Sequence, residues 1–336
     1  MSGSEERAEG ADPATSLLIA PDSFKGTYSA AEVAAHIASG ARAAGAAAVE
    51  CPLADGGEGT YEILRRVLGA EVVEVETVGP WRDHLRAAYA RTHDGTAVIE
   101  LAAASGLGPP GRKYDALAAD TYGTGLLVAH AIERGAEHIV VAAGGSATTD
   151  GGAGAISAID EQGGLRNARI TVLSDVTTNF EDAAVVFGPQ KGADSAQVRV
   201  LTERLHEQAR NYPRDPRGVP RTGTAGGFSG GMWSCFGAEL VSGADFVLDA
   251  IGFDRAAQDV TAVVVGEGRL DSQTQQGKAI SAVLARVGTK PVFAVVGSVD
   301  PELGGYAERF DEILVASRPA AMAEAGARVA ERVRRP

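Results

Sequence analysis

The stretch HIVVAAGGSATTDGGAG, residues 138–154, decides how this chain is expected to fold. Its apolar run, His138–Ala142, is typical of a buried strand, and the small residues that follow are typical of a turn opening a helix over residues 149–159. Free backbone N–H groups at such a helix start favour negative charge. The pattern therefore predicts a phosphate-binding loop, with a tight packing turn as the alternative. It is not a P-loop, because the Gly-Lys-Ser/Thr ending is absent.

The same strand-to-helix pattern continues in both directions along the chain and favours a parallel sheet. Strands are predicted over residues 17–20, 49–53, 138–142, 170–173, 261–265, 291–295 and 312–315. Helices are predicted over residues 29–43, 60–68, 122–134, 149–159, 195–211 and 320–334. Residues 72–101 alternate apolar and polar side chains instead, which predicts an antiparallel meander and a second domain of mixed topology. The Pro-rich residues 211–224 are predicted to form a surface connector.

The charge and cysteine content of the chain argue against several classes of function. The 336 residues carry 31 Lys and Arg against 44 Asp and Glu, a net charge of −13, which argues against binding nucleic acid or an anionic membrane. A small anionic ligand remains compatible with one local cation and backbone N–H groups. The two cysteines form neither a disulfide framework nor a zinc pattern. Residues 1–16 are polar and acidic, so we expect a disordered leader, no signal peptide and a cytoplasmic protein.

Two further glycine-containing segments follow predicted strands and carry hard oxygen donors. Residues 20–27 (APDSFKGT) offer Asp22, Ser23 and Lys25 where ligands bind in open α/β sheets. Residues 53–60 (LADGGEGT) offer Asp55 and Glu58, which suit Mg²⁺ or a hydroxyl group. A solvated turn is the alternative for each segment.

Three more positions complete the candidate chemistry. Lys191 lies between turn-forming residues, and Asp175 follows a predicted strand as a candidate base. Residues 264–271 (VVGEGRLD) miss a dinucleotide fingerprint, because Asp271 stands where the third glycine is needed. A nucleotide or metal–phosphate site fits this segment better, with acids and cations close together.

Five motifs in this order resemble those of the bacterial type I glycerate kinase family: APDSFKGTYSA, PLADGGEGT, GGSATTDGGAG, VFGPQKGA and GEGRLDSQTQQGK. The resemblance runs from about residue 17 to the C-terminus. It implies Mg²⁺-dependent transfer of the γ-phosphoryl group of ATP to a hydroxyl of D-glycerate, usually giving 2-phosphoglycerate. It also implies a two-domain α/β fold, with a flavodoxin-like parallel domain, a restriction-enzyme-like mixed domain and the active site in the cleft between them. We expect the first domain over residues 17–64 and 251–336, and the inserted domain over residues 65–250.

On this resemblance the candidate residues take roles as follows. The catalytic residues would be Asp175 as the base, Lys191 for charge stabilisation, and Lys25. Substrate would be bound by Asp22, Ser23, Asp55, Gly56, Gly57, Glu58 and Ser105. ATP would be bound by Gly144, Gly145, Ser146, Thr148, Gly268, Arg269, Thr274 and Lys278, and Mg²⁺ by Glu267 and Asp271. The expected partners are a small hydroxy acid and a nucleotide, and the sequence leaves open whether the chain forms a homodimer.

Three segments depart from the family pattern. Residues 177–182 lack the proline-bearing loop that usually follows the Asp175 position, residues 159–170 are shortened, and residues 223–227 read GTAGG. These departures keep two alternatives open: a kinase of a different small hydroxy acid, and a catalytically silent, ligand-sensing member of the fold. An NAD-dependent oxidoreductase is a weaker alternative, since Asp271 counts against it.

Overall fold

A computed structural model of the chain describes residues 15–108, 114–271 and 279–334, which pack into two compact units. Unit 1 comprises residues 15–52, 254–271 and 284–334, and unit 2 comprises residues 53–108, 114–253 and 279–283. The predicted domain limits, residues 17–64 and 251–336 for the first domain and 65–250 for the inserted domain, stay a prediction. No helix of the described ranges has the length and apolar character needed to span a membrane.

The strands within these ranges are β1 Ser16–Pro21, β2 Ala47–Glu50, β3 Glu71–Val78, β4 His84–Arg91, β5 Thr96–Glu100, β6 His138–Ala142, β7 Arg169–Ser174, β8 Glu239–Ser242, β9 Ala262–Leu270, β10 Val292–Val299 and β11 Glu312–Val315. The helices are α1 Ala30–Ala43, α2 Thr60–Val67, α3 Ala102–Ser105, α4 Tyr122–Glu133, α5 Ala153–Glu161, α6 Ala183–Phe187, α7 Ser195–Asn211, α8 Phe228–Phe236, α9 Gly243–Ala250, α10 Phe253–Gln258, α11 Ala279–Arg286 and α12 Pro319–Arg334.

Unit 1 contains a parallel sheet in the order β2-β1-β9-β10-β11. Counted within the unit this is the 2-1-3-4-5 order of flavodoxin-like folds, which confirms the prediction for this domain. Buried side chains of β1 and β9, such as Ile19 and Val264, pack on α1 and α12. These helices approach closely: a Cβ on Gly40 would lie 1.7 Å from the carbonyl oxygen of Ala323.

Unit 2 contains a mixed sheet in the order β3-β4-β5-β6-β7-β8. Strands β3 to β5 are antiparallel, which confirms the predicted meander, and β5 to β8 are parallel. Its main core lies between this sheet and the helices α4, α5 and α8, where Ile99, Val141 and Phe228 are buried. Because β5 to β8 are parallel, their carboxyl ends share one edge of the sheet, and the loops that carry the candidate residues of this unit lie there.

Several elements differ from the sequence predictions. Strand β2 is shifted to residues 47–50, and α5 begins at Ala153 instead of residue 149. Helix α5 starts later because the carboxylate of Asp150 accepts hydrogen bonds from the backbone amides of Gly152 and Gly154. These bonds hold the preceding residues in a turn. Strand β9 continues to Leu270, five residues beyond its predicted end at residue 265, and this extension pairs with β10. The helices α8 and α9 and the strand β8 lie where no element was predicted.

Candidate functional site

Close contacts between glycines hold residues 55–57 against the strand ends of unit 2. A Cβ on Gly144 would lie 2.4 Å from the Cα of Gly57, and the Gly144 amide donates to the Gly56 carbonyl at 3.3 Å. A Cβ on Gly243, the first residue of α9, would lie 2.2 Å from the carbonyl oxygen of Asp55. The loops after β6 and β8 can therefore meet residues 55–57 only without side chains at these points.

The two acids of this segment have different surroundings. Asp55 is 2% exposed, and its Oδ1 accepts a hydrogen bond of 3.0 Å from the amide of Gly57. Glu58 is exposed. Sequence reasoning missed a third acid, the half-buried Glu100 at the carboxyl end of β5. Burial raises the pKa of Glu100, and the charge of Glu58 adds to that rise. Its position as an acid at the end of a predicted strand could have identified Glu100 from the sequence.

The predicted phosphate loop is anchored through its backbone. The amide of Ala147 donates to the Ser105 carbonyl at 2.9 Å, and the amide of Leu107 donates to the Gly145 carbonyl at 3.2 Å. The hydroxyl of Ser105 is fully buried and shares a hydrogen bond of 2.7 Å with Thr124 Oγ1. Ser105 thus shapes the loop through its main chain, while its side chain fixes α4.

Lys191 joins two predicted motifs in one place. Its Nζ donates hydrogen bonds to Ser146 Oγ at 2.8 Å and to the Thr148 carbonyl at 2.6 Å, so the ammonium group lies against the predicted phosphate loop. Burial of this side chain lowers its pKa to about 7, and the charge of Asp150 opposes the decrease. A desolvated cation held against a glycine-rich loop that precedes a helix is suited to binding an anion.

Thr148 carries a buried hydroxyl that none of the described residues binds. The residue is fully buried, and its Oγ1 has no hydrogen-bond partner among the described residues. Leaving a buried hydroxyl unpaired costs about 1–3 kcal/mol. A ligand oxygen at this loop would satisfy it, so the donor set of the loop fits an anion.

Asp150 is another acid that was not predicted from the sequence, and unlike Glu100 it is buried in the protein. It accepts hydrogen bonds from the backbone amides of Thr121, Gly152 and Gly154 and from the Thr121 hydroxyl. Burial raises the pKa of this carboxyl, and these four donors act against the rise. Asp150 therefore fixes the turn between the phosphate loop and α5. The Asp-Gly-Gly sequence was the available signal for this turn.

Asp175 follows the last residue of β7 and is half-buried. The strand end is fixed by Ser174, whose Oγ donates to the Val176 carbonyl at 2.8 Å and lies 2.6 Å from Thr224 Oγ1. The guanidinium of Arg221 donates to the Ser174 carbonyl at 2.8 Å. Arg221 and Thr224 belong to the predicted surface connector, whose last residues, 222–224, are in fact buried.

In unit 1 the candidate residues lie at the point where the strand order reverses, between β1 and β9. Asp22 and Ser23 are buried there, and the amide of Asp22 donates to the Gly266 carbonyl at 2.8 Å. Ser23 Oγ has no hydrogen-bond partner among the residues described. The side chain of Lys25 is exposed, and a Cβ on Gly268 would lie 3.3 Å from the Cα of Phe24. Ligands of open α/β sheets bind at such switch points.

Arg269 of β9 lies close to two acids of this unit. Arg269 Nη2 lies 2.6 Å from Asp300 Oδ2, and its Nε lies 3.9 Å from Asp271 Oδ2. Within the described ranges no group of three or more His, Cys, Asp or Glu could hold a metal ion. Mg²⁺ takes one or two carboxylates plus phosphate oxygens, so Glu267 or Asp271 could each supply one carboxylate to a nucleotide-bound ion. Thr274 and Lys278 lie outside the described residues.

Comparison with known sequences identifies relatives over nearly the whole chain. A family model described as the glycerate kinase family matches residues 17–163 and 160–335. The glycerate 2-kinase of Escherichia coli (strain K12) is 36% identical over 329 residues, with 86% of each chain covered. The glycerate kinase of Bacillus subtilis (strain 168) is 37% identical over 327 residues, covering 84% of this chain and 85% of the relative.

A solved structure agrees with these relatives. The crystal structure of a protein assigned as glycerate kinase 2 from Salmonella typhimurium LT2 matches with a TM-score of 0.76 at 34% identity, covering 96% of both chains. This match confirms the predicted two-domain α/β fold class. Family model, sequence relatives and structure all name kinases, and each covers more than two thirds of the chain. The chain therefore belongs to the glycerate kinase family.

Proposed function

We propose that this protein transfers the γ-phosphoryl group of ATP, with Mg²⁺, to D-glycerate and forms 2-phosphoglycerate. One observation carries the proposal beyond the family: the ammonium group of Lys191 is buried against Ser146 and Thr148 in a glycine-rich loop. Phosphoryl transfer depends on positioning and charge neutralisation more than on covalent catalysis, and such a loop supplies both. A cytoplasmic location, where ATP is available, is part of the proposal.

The residues of unit 2 take these roles. The backbone of Gly145 and the side chains of Ser146, Thr148 and Lys191 bind phosphate oxygens, and Lys191 holds a proton at Nζ. Gly144 serves this loop by allowing its close contact with Gly57. Asp175 accepts the proton of the reacting hydroxyl, which is general base catalysis. Asp55 and Glu58 bind the substrate hydroxyls, with Gly56 and Gly57 giving close access to the backbone.

The residues of unit 1 would serve the nucleotide and the metal. Glu267 and Asp271 would hold Mg²⁺, which when bound neutralises charge on the phosphate oxygens. Gly268 and Arg269 would bind the nucleotide, and Asp22, Ser23 and Lys25 would bind phosphate or substrate. The buried Ser23 hydroxyl, which has no partner in the described part of the chain, supports this assignment, because a bound ligand would satisfy it. Thr274 and Lys278 stay predictions from the sequence.

The test is ADP formation from ATP and Mg²⁺ with D-glycerate, with the product followed by ³¹P NMR. A phosphate signal coupled to the C2 proton is the expected result. Signal at C3 would leave the kinase activity in place and overturn the 2-phospho assignment. Absence of turnover with glycerate would overturn the substrate assignment.

A different small hydroxy acid is the second candidate. It is favoured by the contact between two segments that depart from the family pattern: the amide of Gly223 donates to the Thr178 carbonyl at 2.9 Å. Both segments adjoin the end of β7, next to Asp175. A panel of hydroxy acids under the same conditions separates the candidates. Turnover with none of them would favour the ligand-sensing alternative.

A further inference from the structure

Arg221 has an unusual backbone conformation for its residue type. Its φ is +72°, in the left-handed region that favours glycine. Such a conformation is disfavoured for a residue with a Cβ, because the Cβ comes too close to the following carbonyl oxygen. Strain of this kind persists where the surrounding structure over-determines it, and it concentrates at functional sites. Nothing in the sequence analysis selected this residue.

The guanidinium of Arg221 lies at the carboxyl end of β7. Its Nη1 donates a hydrogen bond of 2.8 Å to the carbonyl of Ser174, the residue before Asp175. Within the described part of the chain this is the one hydrogen bond that the side chain makes. A guanidinium has five N–H donors, so its capacity to bind a further acceptor is largely unused. The side chain is half-buried, so it is partly shielded from competing water.

The turn that carries Arg221 is fixed to the end of β7. The Arg221 amide donates to the Thr177 carbonyl at 3.2 Å, and its own carbonyl accepts from Ser229 Oγ at 2.7 Å. Thr224 Oγ1 donates to the same carbonyl at 3.0 Å and lies 2.6 Å from Ser174 Oγ. The guanidinium is thus attached to a pre-organised backbone, which reduces the entropy that binding would cost.

We propose that Arg221 binds the carboxylate of the hydroxy-acid substrate and so determines specificity, an inference that rests on the proposed function. The planar guanidinium matches a carboxylate through two parallel hydrogen bonds. In a 2-hydroxy acid the reacting hydroxyl is on the carbon next to the carboxylate. A cation bound to the residue before Asp175 therefore selects that hydroxyl for the base, which explains a 2-phosphorylated product.

The test exploits the backbone conformation. Arg221→Gly relieves the left-handed strain, so its Tm should equal or exceed that of the parent. The KM for D-glycerate should rise about 10- to 100-fold, the range for one charged hydrogen-bonded contact, while the KM for ATP stays within about twofold. Arg166→Gly is the matched control: Arg166 is exposed at a φ of +53°, so this variant loses the same charge and the same strain elsewhere. Its KM for D-glycerate should not change.

Glyceramide, the uncharged amide of glyceric acid, separates carboxylate recognition from a structural role. The Arg221→Gly variant should lose its preference for D-glycerate over glyceramide, because only the charged substrate loses a contact. An equal loss with both compounds, or an unchanged KM for D-glycerate, would overturn the proposal while leaving the kinase assignment standing. If the parent protein does not turn over D-glycerate, calorimetric binding of D-glycerate to the parent and to Arg221→Gly decides the question: equal affinities overturn it.

Discussion

The ammonium nitrogen of Lys191 lies 2.8 Å from the hydroxyl oxygen of Ser146, 45 residues earlier in the chain. The same nitrogen is 2.6 Å from the Thr148 carbonyl, so one cation is held by both sides of the glycine-rich loop. This contact fixes the loop and places a positive charge where the proposed reaction develops negative charge. It also makes the chemistry of the loop depend on the protonation of one side chain.

Replacing Lys191 by Met should lower kcat by about 100-fold or more, because one preorganised cation is lost from the phosphate site. Steady-state kinetics with ATP and the hydroxy acid measure the effect. The control is Lys290→Met, since Lys290 also donates to two backbone carbonyls, those of Gln258 and Val260, but lies away from the candidate residues of its unit. An active Lys191→Met variant would contradict the assignment.

The rate should depend on pH through the same group. Because the pKa of Lys191 is lowered to about 7, kcat/KM should fall as pH rises through that value, when the free enzyme loses its cation. A bound anion favours the charged amine, so the corresponding fall in kcat should lie at higher pH. A profile of kcat/KM that stays flat to pH 9 would exclude a protonated Lys191 as the active form.

The stability of the fold should rise with pH over the range in which kcat/KM is expected to fall. Between about 7 and 10.5, the ordinary value for lysine, the unfolded chain holds this proton and the folded chain does not. The free energy of unfolding attributable to Lys191 therefore rises with pH across that window. Urea titrations at several pH values, with Lys191→Met as the reference that lacks the rise, measure this contribution.

Thr148→Val should separate stability from ligand binding. Valine removes a buried hydroxyl that has no partner among the described residues, so the free protein should gain about 1 kcal/mol of stability. The KM for ATP should rise about tenfold if that hydroxyl binds a phosphate oxygen. Ser234→Ala removes a similar unpartnered hydroxyl in α8, so it should raise the Tm without changing the KM. An unchanged KM in Thr148→Val would refute the role.

Gly144→Ala tests whether close contact between loops assembles the site. The added Cβ would lie 2.4 Å from the Cα of Gly57, so backbone must shift, at a cost of about 1–3 kcal/mol. We expect a lower Tm and at least about a tenfold loss of kcat, since displacement of positioning groups by an ångström is costly. Gly305→Ala is the control, because a Cβ there meets no atom within 4 Å.

Asp175→Asn removes the proposed base while keeping the side-chain shape. The expected result is a decrease in kcat of about 10²- to 10⁴-fold, with little change in the KM for ATP. Asp182→Asn is the matched control, because Asp182 is exposed seven positions later in the chain. If Asp175→Asn keeps its turnover, another acid must be the base. The half-buried Glu100, whose pKa is raised, is then the first candidate.

Parts of the fold could be predicted because their residues repeat a pattern locally. The run of β-branched residues in β6 marks both of its ends, and the capping box at Ser29 and Glu32 marks the start of α1. Strand β9 was predicted too short, because Gly266 and Gly268 look like turn residues. A Cβ on Gly297 of β10 would lie 2.5 Å from the Gly268 carbonyl, so these glycines serve close strand pairing instead.

Other features of the fold and of the candidate site could not be predicted from the sequence, because they depend on tertiary contacts. Helix α8 contains Gly230 and Gly231, which have poor helix propensity, but a Cβ on Gly230 would lie 2.4 Å from the ring of Phe180 and one on Gly231 would lie 2.2 Å from the Gly151 carbonyl. Packing overrides propensity there. Lys191 was predicted to stabilise charge and Ser146 to bind ATP, yet nothing in the sequence predicted that they touch. Arg221 lies in a segment whose prolines indicate a connector, which concealed it.

The parallel pairing of β1 with β9 has a consequence for how the chain is made. Leu17 pairs with Ala262, 245 residues further on. At a synthesis rate of about 5–20 residues per second, β1 waits roughly 12 to 50 s on the ribosome for this neighbour. Nearly all of unit 2 emerges meanwhile as one continuous segment. The edge of β1 that pairs with β9 should therefore stay without its neighbour until almost all of unit 2 has been synthesised, although β2, the neighbour on the other edge, is made early.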